Sequence, residues 1–518
     1  MTRFARILLL TVVAVSAGLS ATEDVPPLVA AVKRGDHGAV RTLLKQKASV
    51  DAAQADGTTA LHWAVQGDDV ELVAMLVKAG ANVKAANRYG IQPLTLAATN
   101  GSAMAIDVLL GAGADPNTKT AAGEPVIMTA ARTGSVEAIK SLLARGADPN
   151  VHEAWFGETA LMWAAAENHA AAVRALVVAG AKVNERSTTL NAPVLEFPRS
   201  GGPNSPFPRG GWTALMHAAR RGATEAARAL ADGGADLNMV ALPQTDVPLK
   251  PEEFAMADKG IGTSALVFAI INSHNDLAAM LVEKGADPNV ADMAGEAALY
   301  AAVDMNSLQW VQGRPAPILT DRLDAVDLVK ILLAKGANPN ARLKTRPLKR
   351  HHDAGSTLNF GEGTTPLMRA ARTADVPVMT ALLDGGADPF LTLPDKTNAL
   401  LLAAGQGYGG LRGEGIRIVV PTPENAAAAV SLLLERGLDT DAFNATGQTA
   451  LHAAVNRGDD VVKVLLAHGA RIDLKNKAGF TPLDIAEGRG GRGRGGPPVV
   501  RESTVALLKQ ARVTTTRP

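Results

Sequence analysis

Apolar residues recur along this chain in short bursts separated by polar turns, and the bursts alternate between two kinds. The first kind is brief and rich in alanine, as in TALHWAV at 59–65 and TALMHAA at 213–219. The second spaces its apolar residues near 3.6, as in VELVAMLV at 70–77. That spacing predicts an amphipathic helix. The first kind opens on Thr or Ser, whose hydroxyl can accept an orphan amide of a helix start. Pro27, Pro93, Pro366 and Pro482 fall at the next position, where a missing N–H costs nothing. The second kind ends in Gly at 80, 113, 146, 180, 234, 285, 336, 386, 437 and 469. A glycine recurring at one structural position predicts a left-handed helix C-cap.

The two bursts together form a unit that repeats. Its cap residues are Thr59, Gln92, Pro125, Thr159, Thr213, Ser264, Ala297, Thr365, Asn398, Thr449 and Thr481, with Pro26 opening a degenerate first copy. Twelve units follow, with spacings of 33, 33, 33, 34, 54, 51, 33, 68, 33, 51 and 32. Helix pairs this small cannot bury their apolar faces singly, so the predicted architecture is all-α and stabilised by stacking. The G-x-T-A/P-L-x-x-A-A frame, TALHWAV, TALHAAV at 449–455 and GADPN at 113–117, 146–150 and 285–289 resemble the ankyrin repeat family over Asp24 to about Ala511. The resemblance implies a solenoid of helix-turn-helix units with finger loops. It also implies a structural hydrogen-bonding role for His62 and His452.

Long spacings locate insertions. Those near 188–210, 242–261 and 344–362 fall in finger loops. Those near 304–322, 405–424 and 488–499 separate the two helices of a unit and leave from the opposite edge. Residues 512–518 are expected to form an unstructured tail. At the other end, Arg3 and Arg6 precede an apolar run from Ile7 and then small residues to Ala21, the plan of a signal peptide cleaved between 17 and 22. The apolar stretch is too short for a spanning helix. A periplasmic or secreted location is therefore expected, with no stable membrane span, and the resemblance extends to bacterial exported ankyrin proteins.

Composition narrows the chemistry. Fifty-two basic and 51 acidic residues nearly cancel, so no global field favours nucleic acid. Cysteine is absent, which excludes disulfides, thiolate catalysis and thiolate-ligated metals. Gly405 to Gly410 matches G-x-G-x-x-G but follows a helix, so the dinucleotide-binding context is missing. His351, His352 and Asp353 read as a solvated loop, and the arginines among the glycines of 488–494 as a flexible one. No cofactor or metal is expected, and no catalysis.

The expected activity is binding of a protein partner by a monomeric scaffold. Family partners lie on the face formed by finger tips and first helices. On this chain the finger tips carry Arg88, Tyr89, Trp155, Phe156 and Trp212, and exposed aromatics are enriched at hot spots. Residues following the alanine pairs add a basic stripe: Arg132, Arg220, Arg221, Arg372 and Arg457, with Lys33 and Arg34, opposed mainly by Glu167 and Asp304. Such a stripe fits an acidic partner surface. Trp63 and Trp163 are expected in the core. Two other readings stand beside this one: an enzyme whose site is built by the insertions, and an effector delivered to another cell.

Overall fold

A computed structural model describes residues 25–188, 190–191, 208–242, 262–311, 321–345, 361–406, 416–418, 421–489 and 499–515. The expected signal segment 1–21 lies outside them, as do most of the insertions. Helices pair off into twelve units in the register read from the sequence, each an inner helix at the alanine pair followed by an outer helix. Repeats 1 to 4 form one compact unit ending at Ala154, and repeats 5 to 12 form a second.

Repeat 2 shows why a unit folds as it does. Thr59 caps the inner helix Ala60–Gln66, and the His62 ring reaches back to the Thr59 amide, closing a reciprocal capping box. The same imidazole bonds the Ile91 carbonyl of the next repeat at 3.0 Å, so one ring ties cap and neighbour together. His452 repeats both contacts with Thr449 and Phe480. Asp69 caps the outer helix Val70–Lys78 by accepting from the Leu72 amide. That helix ends at Gly80, with φ near 90°. All ten glycines predicted at this position adopt positive φ. A Cβ at Gly80 or Gly113 would strike nothing within 4 Å, so backbone conformation alone selects glycine there.

In the first unit, inner helices stack on inner helices and outer on outer. Ala64, Ala97, Ala98, Ala130 and Ala131 are fully buried where neighbouring helices approach closely. The GADPN asparagine links one repeat to the next. Asn117 accepts the Asp148 amide at 2.9 Å and donates to the Gly146 carbonyl at 3.1 Å. Asn289 makes the same two bonds in the second unit, to Asn338 and Gly336. Stacking there follows the same inner-on-inner, outer-on-outer plan.

The strands come from the insertions. β1 (Leu190–Asn191) and β2 (Pro208–Arg209) pair antiparallel, so the 188–210 insertion returns on itself at the finger. β3 (Leu308–Val311) leads directly out of the inner helix of repeat 8, Ala298–Ser307. It pairs antiparallel with β4 (Ile416–Ile418), which lies in the insertion of repeat 10. The final helix, Glu502–Thr515, takes in four residues of the expected tail. Its hydrogen-bonded turns continue past Arg512 because no Pro or Gly interrupts them.

Candidate docking face

Two positions report on the face that inner helices present: the fourth and the seventh residue after each cap. One turn apart, they lie on the same side of the helix. In the first unit the seventh residues are Lys33, Gln66, Thr99 and Arg132, all exposed. Lys33 places its ammonium 4.2 Å above the Trp63 ring. Trp63 holds still through its own Nε1, which donates to Gln54 Oε1 at 2.6 Å. Arg132 lies 3.4 Å from Glu124, whose carboxylate also accepts from Thr129 Oγ1. Of the finger tips, Arg88 is spent on architecture, donating to the Ala55 carbonyl of the preceding finger at 2.7 Å, while Tyr89 is exposed.

In the second unit, Trp155 and Phe156 are exposed at the tip of the first finger. The Phe156 carbonyl accepts from the Thr188 amide, which fixes the backbone beneath the ring. Trp212 sits half-buried at the next finger. Its amide bonds Ser187 Oγ at 3.0 Å, and Arg186 braces the loop through the Gly211 and Val240 carbonyls. Around the indole stand His217 and Phe268, both edge-on at centroid distances of 5.4 and 5.2 Å, and the Arg220 guanidinium at 5.1 Å. Arg220 itself is exposed, as is Arg221, 3.9 Å from Glu167. Burial, with Arg220 and Arg221 adding to it, pushes the His217 pKa down to about 4, so the ring is neutral at physiological pH. The positive charge of this cluster therefore belongs to the arginines.

Three sequence expectations change. Trp63 and Trp163 are half-buried on the inner-helix face rather than in the core. They share the register of His217, a spacing that could have identified them as surface candidates. Arg372, expected on an open basic edge, is buried, beside the ion pair of Asp304 and Arg369. Arg457 is half-buried and donates to the Arg372 carbonyl at 3.2 Å. The basic stripe therefore breaks up: Arg132, Arg220 and Arg221 reach solvent, while Arg372 and Arg457 are built into the protein.

Sequence comparison matches these repeats to a known family. The profile described as Ankyrin repeats (3 copies) matches residues 8–87, 28–120, 94–187, 127–241, 201–292 and 418–492, and the single Ankyrin repeat profile matches 362–392. The chain belongs to the ankyrin repeat family. Human Ankyrin repeat and SOCS box protein 16 is 33% identical over 244 residues, covering 43% of this chain and 47% of that protein. Mouse B-cell lymphoma 3 protein homolog is 31% identical over 166 residues, 32% of this chain and 30% of that protein. The chain thus spans less than half the length of these curated relatives. The human ASB11 ankyrin repeat domain aligns with a TM-score of 0.38 at 25% identity, over 50% of this chain and 97% of that domain. Ankyrin repeats are generally protein-interaction modules. Among the described residues no helix is long and apolar enough to cross a membrane.

Proposed function

We propose that this ankyrin protein is a non-catalytic docking scaffold of a bacterial envelope, exported by its N-terminal segment. Its partner is a protein segment that sets an acidic residue against Arg220 and Arg221 and an apolar one against Trp212. One observation carries the reading: the exposed Arg220 guanidinium is already held 5.1 Å from the Trp212 ring, on a finger braced by Arg186. A planar cation fixed over an aromatic loses less freedom on meeting a carboxylate than a loose one does. The Lys33–Trp63 pair offers the same cation-on-aromatic chemistry in the first unit. Export rests on the basic and apolar plan of residues 3–21.

Affinity capture from the native envelope fraction tests this. The Arg220→Glu/Arg221→Glu chain should lose the protein retained by the wild type. Lys330→Glu, on the outer helix of repeat 8, should keep it. Retention by the double charge reversal would reject this surface. N-terminal sequencing of the exported chain should find its first residue between 18 and 23, and an intact Met1 would reject export.

A further inference from the structure

The open face of the inner helices closes over part of the second unit. The seventh residue after the cap is exposed at Arg220 in repeat 6 and again at Asn456 in repeat 11. Between them it is Ile271, Asp304 and Arg372, at 8%, 6% and 6% exposure, and the buried Gly405. Stacking on neighbouring repeats is no explanation, because the seventh residues of repeats 2 to 4 have such neighbours and stay exposed.

What sets this stretch apart is the pair of insertions after the inner helices of repeats 8 and 10. One supplies β3, the other β4, and the two strands pair across repeat 9, which has no such insertion. In register, Leu308 faces Ile418 and Val311 faces Ile416. At repeats 8 and 9 the polar groups are matched within the protein. Arg369 Nε donates to Asp304 Oδ1 at 2.6 Å, and Asn306 Nδ2 to Asp375 Oδ2 at 2.5 Å. An open groove has no use for ion pairs out of water, whereas a covered one requires them.

We propose that the β3–β4 ribbon is an intramolecular occupant of the inner-helix face of repeats 7 to 10. The chain fills there, with its own backbone, the surface that its repeats would otherwise present to a partner. Repeats 7 to 10 are thereby withdrawn from an outside partner. The inference is independent of the docking reading above, since it concerns what covers one stretch, not what binds another.

The absence of cysteine makes the test direct. Single reporters at Arg220→Cys, Ile271→Cys and Asn456→Cys are placed in the full chain, and maleimide modification is timed. Positions 220 and 456 should react as free thiols, and 271 at least tenfold more slowly. Equal rates would overturn the proposal. Replacing 308–322 by a short Gly-Ser link should raise the rate at 271 to that at 220, and continued shielding with unchanged helicity would also overturn it. Where the shortened chain loses helicity, the Val311→Cys/Ile416→Cys pair decides. The register requires both thiols to disappear into a disulfide on mild oxidation of the native chain, and thiols that stay free reject the ribbon.

Discussion

Replacing Arg369 by Leu measures how far water is kept from the inner-helix face. Its guanidinium lies 2.6 Å from Asp304, and the two side chains are 5% and 9% exposed. Charge centres about 4 Å apart attract by ~4 kcal/mol at an effective dielectric of ~20, but by only ~1 kcal/mol in water. Desolvation offsets most of that gain in the intact protein, so the pair adds little net stability. Removing one partner is different, because Asp304 then remains buried and uncompensated. The expected cost is about 3–5 kcal/mol. Arg369→Leu with Asp304→Leu should recover most of it, since two apolar residues leave no orphan charge. A stacked array of this length does not unfold in one step. The fitting assay is therefore native-state hydrogen exchange read at the inner helices of repeats 8 and 9, Ala298–Ser307 and Pro366–Thr373. A cost below about 1 kcal/mol, the ordinary value for an exposed pair, would show solvent reaching Asp304. The covered face would then be refuted together with this estimate.

His217 should make the second unit sensitive to acid. Its folded pKa of about 4 lies below the unfolded value near 6.5, so its contribution is complete above pH 6.5 and is lost as pH falls toward 4. Roughly 3 kcal/mol is at stake, and His217→Leu should flatten the pH dependence of melting between pH 7 and 4.5. His37 should act in the opposite sense. Its hydrogen bond to Asp69 raises its pKa, so its support of repeats 1 and 2 is complete below 6.5 and fades as pH rises through the raised value. An NMR titration should place its midpoint above 6.5, and Asp69→Asn should bring it down. Lys47 and Ala374 hold positive φ at helix-end turns. Glycine at either should raise the melting temperature, each gaining about 1 kcal/mol, and a lowered melting temperature would refute the assignment.

Local rules carried most of the fold. Thr59, Thr159 and Thr213 cap helices because hydroxyls satisfy orphan amides, and the ten glycines adopt the conformation their recurrence demanded. Each is decided within a few residues, so a single sequence suffices. The candidate site was half legible. Tyr89, Trp155, Phe156, Arg220 and Arg221 reach solvent as their register required. Arg372 does not, and the ribbon proposed above, built from positions 308–311 and 416–418, supplies its cover. No local pattern specifies a pairing between segments so far apart in the chain. Signals were nevertheless present. Lys33, Gln66, Thr99 and Arg132 are polar at the seventh position, and Ile271 breaks that habit in repeat 7. An apolar side chain where water should be requires a cover.

The two kinds of insertion therefore have unequal consequences. Residues added at a finger, as at 188–210, leave between neighbouring tips and close on themselves, as β1 and β2 do. Stacking beneath them is undisturbed, and loop-closure cost grows only slowly with length. Residues added after an inner helix start where the helix face ends and can turn back across it. β3 leaves the repeat 8 helix in this way and meets β4 two repeats later. An isolated two-stranded ribbon is marginal in water, so it needs a surface to lie on, and the inner-helix face supplies one. Ribbon and covered face stabilise each other. That mutual dependence explains why Asp304 and Arg369 sit out of water as a pair, and it leaves the Trp212–Arg220 cluster at the last point before the cover begins.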